Sequence, residues 1–152
     1  MKIRHITVSD KNIYFEMSLD FFNNGGATLF PITTDNLEAT FNEAINNSPF
    51  LEILIMEENS TIVGYGMLAL YWSNEAGGMV TQLEEFYVLP SYRGKNYGNN
   101  FLSWLIDNYS SKCARFRLEA CPNNLSAQKL YKKYGFEVLD YIQFIKTPSS
   151  FI

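Results

Sequence analysis

Val88-Leu89-Pro90-Ser91-Tyr92-Arg93-Gly94-Lys95-Asn96-Tyr97-Gly98 carries the chain from a strand into a helix. Thr81–Val88 is a β-type run, and beyond the loop Leu102, Leu105, Ile106 and Tyr109 fall on one helical stripe. A helix N-terminus presents unpaired N–H groups and the positive end of the helix dipole, so it attracts phosphate without further help. Gly94 and Gly98 let the backbone come close to an anion, and Arg93 and Lys95 add positive charge. Asn96 interrupts the glycine pattern, yet Asn is among the non-glycine residues that best tolerate positive φ. No Gly-Lys-Ser/Thr ends the loop, so it is not a Walker loop. Taken alone, the stretch also reads as an ordinary strand-to-helix turn.

Upstream, Ile3–Val8 reads as a first strand, followed by a helix capped at Ser9 or Asp10 with Ile13, Met17 and Phe21 on one face. Asn23-Asn24-Gly25-Gly26 reads as its stop. Asp35 with Glu38 has capping-box spacing and opens a second helix carrying Leu37, Phe41 and Ile45. Phe50–Met56 and Thr61–Trp72 are strands joined through Glu57-Glu58-Asn59-Ser60, a hairpin. Downstream, Arg115–Ala120 is a strand, Ser126–Tyr134 a short helix stopped by Gly135, and Glu137–Lys146 a last strand. The order β-α-α-β-β-β-α-β-α-β predicts a mixed α/β (α+β) fold over residues 1–152, one domain with a single twisted mixed sheet of about six to seven strands and about four helices. Gly64-Tyr65-Gly66-Met67-Leu68-Ala69 fits a dinucleotide fingerprint, but Leu70-Tyr71-Trp72 continues the β run where that motif must open a helix. Two close glycines in a strand mark a bulge or a close backbone approach instead.

A chain of 152 residues suits one domain. Twelve Lys+Arg against sixteen Asp+Glu give a formal charge of −4, which disfavours nucleic acid and anionic membranes and mildly favours cationic partners. No apolar run approaches the roughly 20 residues of a spanning helix. MKIRHITVSD lacks an apolar signal region, from which a cytoplasmic location is expected. Cys113 and Cys121 flank a strand-like run, which sets them roughly 26 Å apart at about 3.3 Å per residue, too far for a disulfide. With His5 as the single histidine, neither a zinc site of usual composition nor a Ser-His-Asp triad is expected, and no metal is implied.

The Val88–Gly98 stretch closely resembles the acetyl-CoA pyrophosphate loop of the GNAT superfamily of N-acetyltransferases, whose pattern is Gln/Arg-x-x-Gly-x-Gly/Ala. Arg93 and Gly98 match it, and Asn96 stands where glycine is expected. A second motif follows at the family's spacing: Asn124, Ala127, then Leu130-Tyr131-Lys132-Lys133-Tyr134-Gly135-Phe136. The resemblance covers roughly Gly64 to Lys146. It implies a GNAT-like fold and acetyl-CoA held by Phe86, Tyr87, Val88, Arg93, Gly94, Lys95, Asn96, Tyr97, Gly98, Asn99, Asn124, Ala127 and Tyr131. Gly64–Trp72 followed by Leu83-Glu84-Glu85-Phe86-Tyr87-Val88 looks most like the diamine (spermidine/spermine-type) branch.

An amine with a pKa near 10.4 needs about 4.6 kcal/mol to free its lone pair at pH 7. A carboxylate beside it, directly or through one water, accepts that proton. Glu84 and Glu85 face opposite sides of the strand unless a bulge intervenes. In the resembled branch Glu84 takes the water-linked base position, and Glu85 holds a cationic substrate. The residues alone leave open which of the two is the base, and both also read as solvated strand carboxylates. Tyr131 matches the family's acid, which protonates the leaving thiolate, while a buried core aromatic is the alternative. The resemblance gives the thioester carbonyl a backbone N–H donor at Val88. Tyr71 and Trp72, with the acidic pair, suggest a cationic amine bound by charge and cation–π contact. With His5 as the single histidine of the chain, Cys121 reads as a small core residue and not as a nucleophile. The apolar Tyr141–Ile145 and Phe151-Ile152 suggest packing across a two-fold axis, a homodimer. The expected activity is acetyl transfer to a small amine such as a polyamine. Acetylation of a protein N-terminus or lysine, and a non-catalytic acetyl-CoA-binding module, remain alternatives.

Overall fold

Asn59 and Ser60 both take positive φ, 48° and 64°. That is the geometry of a two-residue hairpin turn matched to strand twist, and it joins β2 (Leu51–Glu58) to β3 (Thr61–Ser73). The computed structural model describes residues 1–24 and 31–148. Around the hairpin the sheet runs in the order β1-β2-β3-β4-β5, with β1 (Lys2–His5), β4 (Gly78–Val88) and β5 (Arg115–Leu118) completing it. The first three pairings are antiparallel and β4 with β5 is parallel. A parallel pair needs a crossover, and α3 (Tyr97–Tyr109) supplies it.

Alternation along the strands sends side chains to two layers. Leu54, Leu68 and Leu83 pack with Phe101, Leu102 and Leu105 of α3 and with Tyr131 of α4 (Leu125–Lys133). Ile53, Ile55 and Tyr65 pack on the opposite face with Tyr14 and Met17 of α1 (Lys11–Asn23) and Phe41 of α2 (Thr34–Ile45). The glycines Gly64 and Gly66 lie on β3 and open no helix. A Cβ on Gly64 would stand 2.2 Å from the Tyr87 carbonyl oxygen, and one on Gly66 would stand 2.3 Å from Phe101. Close approach is their role.

Several expectations shift. The capping box of α2 is made by Thr33 and Asn36, Thr33 Oγ1 accepting from the Asn36 N–H at 3.2 Å, and not by Asp35 and Glu38. Gly25 and Gly26 of the expected α1 stop lie outside the described residues, as do Phe151 and Ile152. The last strand expected over Glu137–Lys146 is not formed, so the sheet has five strands among the described residues. Its alternating pattern meets no paired edge: Val138, Ile142 and Phe144 are 82%, 84% and 92% exposed. A strand needs a ladder, and a suitable pattern alone does not supply one.

At the N-terminus, Arg4 reaches both Asp10 (2.7 Å) and Glu57 (2.8 Å), tying β1, the start of α1 and β2 together. The Arg4 hydrogen bond lowers the Asp10 carboxyl to about 2 against the opposing effect of burial. No helix among the described residues is long and apolar enough to cross a membrane.

Candidate active site

The register of β4 changes at one residue. Met67 pairs with Glu85 but Leu68 pairs with Leu83, so Glu84 is the extra residue of a β-bulge. Leu83 therefore packs with the α3 layer while Glu85 and Tyr87 point to the α1 face. Pairing of β4 with β5 covers only Val80–Leu83 and ends at the same place. Beyond the bulge the two strands part. The Leu89 N–H is taken by the Val63 carbonyl at 2.9 Å, so strand alternation turns the Val88 N–H to the edge that β5 has left.

A cavity of about 760 Å³ lies at this parting. The loop, the first turn of α3 and one face of α4 wall it, and it gathers Phe86, Tyr87, Val88, Arg93, Gly94, Asn96, Tyr97, Gly98, Asn99, Asn124, Ala127 and Tyr131. Asn96 is the N-cap residue of α3 at φ 70°, ψ 6°, the left-handed conformation its side chain tolerates. Gly94 has φ 74°, and a Cβ there would touch nothing, so the glycine answers to backbone conformation alone. No side chain caps α3, which leaves its first-turn N–H groups for a ligand. At Gly98 the need is space: a Cβ would stand 2.9 Å from Leu130 Cδ2. Arg93 Nε donates to the Val88 carbonyl at 2.9 Å, and its guanidinium stands over the Tyr87 ring at 5.4 Å. Lys95 does not line the cavity; its Nζ sits 5.1 Å over Tyr92.

Asn124 is the N-cap of α4, its Oδ1 accepting from the Ala127 N–H at 3.1 Å, so a further ligand would take its Nδ2. Tyr131 is 9% exposed, its ring edge-on to Phe136 at 6.1 Å, and burial raises its phenol above the usual range. A phenol so placed stays protonated at neutral pH. These features suit acetyl-CoA: uncapped N–H groups and cations for phosphates, an open strand edge for an amide-bearing arm, and a phenol inside.

The other expected residues stand apart from the cavity. Glu84 is exposed and accepts from Gln82 Nε2 at 2.7 Å. Glu85 is 6% exposed and accepts from the Tyr65 hydroxyl at 2.5 Å; burial, with the charge of Glu84, raises its carboxyl to about 7. A carboxyl closed in this way does not present itself to a substrate cation. Tyr71 pairs with Val80 and Trp72 with Met79, toward the far end of β4 from the loop. The Tyr71 hydroxyl meets Arg117 Nη1 at 3.2 Å, and Trp72 is 68% exposed.

Asp20, Asn24, Ser126, Lys129 and Lys133 also line the cavity and were not expected from the sequence. Ser126, Lys129 and Lys133 share one stripe of α4, a spacing that exposes them to discovery. Asp20 carries no such signal, because only the docking of α1 on β4 brings it to Tyr87, whose hydroxyl it accepts. Burial and then Asp20 raise the Tyr87 phenol to about 12. Among the described residues no group of three His, Cys, Asp or Glu side chains could hold a metal ion.

The model of the acetyltransferase (GNAT) family matches residues 14–136. The chain belongs to that family. It is 32% identical over 111 residues to thialysine N-epsilon-acetyltransferase of Mus musculus, covering 67% of this chain and 65% of the relative. It is 33% identical over 75 residues to the spermine/spermidine N(1)-acetyltransferase of Bacillus subtilis strain 168, covering 48% and 49%. The chain thus spans just under two thirds of the mouse relative and about half of the bacterial one. An aminoglycoside N-acetyltransferase, AAC(6')-Iy in complex with CoA, superposes with a TM-score of 0.76 at 17% identity, covering 96% and 93%, and so shares the fold.

Proposed function

We propose that this GNAT chain is an N-acetyltransferase that moves the acetyl group of acetyl-CoA directly to a primary amine of a small cationic acceptor such as a polyamine. The observation that carries this reading is the coincidence of three features at one place. The Phe86–Val88 edge of β4 that β5 no longer pairs, the uncapped start of α3 and the Tyr131 phenol all line one cavity. The likeness to spermine/spermidine and thialysine acetyltransferases supports an aliphatic amine as acceptor.

Acetyl-CoA supplies an activated thioester. The first-turn N–H groups of α3, with Arg93, hold its phosphates, and the freed edge of β4 with Asn124 Nδ2 holds its arm. The Val88 N–H is the donor aimed at developing negative charge on the carbonyl oxygen. Glu84, at the bulge and open to water, takes the amine's proton through a solvent molecule, which offsets the cost of deprotonating a cation near neutral pH. Tyr131 gives its proton to the departing sulfur. In this reading Glu85 is an internal group, not a substrate anchor.

A homodimer is part of the proposal. The exposed apolar residues of 138–145 need a cover, and a second copy offers an identical face across a two-fold axis.

Thiol release from acetyl-CoA against a panel of amines tests the reading. Release with polyamines or other small cationic amines is the expected result. Release with peptides alone, or coenzyme binding with no release, would overturn it.

A further inference from the structure

The cavity carries one carboxylate. Asp20 lines, together with Arg93, Lys129 and Lys133, a site whose expected coenzyme brings only negative charge. Toward that ligand Asp20 is a liability, since like charges in a shared cleft repel. Its own contacts do not neutralise it either. The Tyr87 hydroxyl and the Asn24 amide donate to its two oxygens, and both are uncharged; no ion pair to Asp20 exists among the described residues. Two neutral donors fix the carboxylate in place and leave it without an ion pair among the described residues. Beside it, Phe21 lines the same cavity and stands edge-on to Tyr87 at a centroid distance of 6.5 Å. A held anion next to aromatic rings is the environment that binds an alkylammonium, the charge on the carboxylate and the methylenes on the rings.

We propose that Asp20 is the specificity-determining residue that binds the second, non-reacting ammonium of a diamine or longer polyamine acceptor. The proposal rests on the acetyltransferase reading above and adds to it the group that selects doubly charged acceptors over singly charged ones. Asp20 makes and breaks no bond in the reaction. It selects by charge, and Tyr87 positions it.

The test compares diaminobutane, diaminopentane and diaminohexane, each against the monoamine of the same chain length, with unaltered protein and with Asp20→Asn. In the unaltered protein each diamine should have the lower KM. Asp20→Asn should raise the diamine KM about 10-fold or more relative to the monoamine KM, as expected for loss of one charge-assisted contact. Asp20→Glu, which restores the charge, should recover part of the preference. Equal KM changes for diamines and monoamines, or a fall in kcat alone, would overturn the assignment.

Calorimetric titration of the same amines onto the CoA-bound protein reads the charge preference without turnover. If no amine is acetylated, the reading above fails, while a diamine preference that Asp20→Asn abolishes would still support the Asp20 site. Should Asp20→Asn not fold, salt decides on the unaltered protein. The diamine-to-monoamine affinity ratio should fall as ionic strength rises, and a ratio near one at low salt would overturn the proposal.

Discussion

The Tyr65 hydroxyl donates to Oε2 of Glu85 at 2.5 Å, and both side chains are closed in beneath α1, with Tyr14 edge-on to Tyr65. The bulge at Glu84 brings this about by turning Glu85 away from the face that holds Leu83. Burial is the dominant influence on Glu85 and raises its carboxyl from 4.5 to about 7.

Stability should follow from that shift with a definite sign. Between pH 4.5 and about 7 the unfolded chain has lost the Glu85 proton while the folded chain retains it, so the folded state binds more protons. Stability therefore falls as pH rises through this window, by up to about 3 kcal/mol, and the contribution is constant on either side. Glu85→Gln, which mimics the protonated acid, should remove this part of the slope and be the more stable protein at pH 8. Urea unfolding of both proteins across the window checks it, and parallel profiles would place Glu85 outside the low-dielectric interior.

Coenzyme binding should depend on the loop. Arg93→Ala removes a cation from the cavity wall and should weaken acetyl-CoA binding about 10-fold or more. Gly98→Glu places bulk against Leu130, already 2.9 Å from a bare Cβ, and adds negative charge where phosphate docks. Titration calorimetry with acetyl-CoA reads both, and unchanged affinity in the two variants would move the phosphate site elsewhere.

Glu84→Gln should lower the rate of acetyl transfer, and the defect should shrink as pH rises and more of the amine is deprotonated unaided. A pH–rate profile of the variant against the parent separates this from damage to binding, which would persist at every pH.

The exposed apolar tail makes assembly measurable. Light scattering at micromolar concentration should report a dimer, and replacing Val138, Ile142 and Phe144 together by Ser should shift the population to monomer. A monomer in the parent protein would remove the dimer from the account.

Much of the site was legible because it is local. Arg93, Gly94 and Asn96 sit on one loop that runs into Gly98 in the first turn of α3, and Asn124, Ala127 and Tyr131 follow at helical spacing, so sequence order alone gathers each group on one element. The bulge was legible only as an exception to alternation, since Glu84-Glu85 contains no glycine or proline to announce it. Asp20 was beyond reach because its contact with Tyr87 spans 67 positions and depends on how α1 docks. Glu137–Lys146 failed for the opposite reason: the pattern was present, yet among the described residues the segment pairs with no strand.

Tyr131, raised above the usual phenol range by burial and lining the cavity, is proposed as the acid that protonates the leaving thiolate. Tyr131→Phe keeps the ring against Phe136 and deletes only the acidic proton. The decisive measurement is the single-turnover rate of acetyl transfer in Tyr131→Phe with saturating acetyl-CoA and amine. A loss of about 10²–10⁴-fold with acetyl-CoA affinity nearly unchanged is the predicted result, because the interaction matters in the transition state more than in the bound state. Transfer at the parent rate, with chemistry shown to limit turnover, would contradict the account and return Tyr131 to the core.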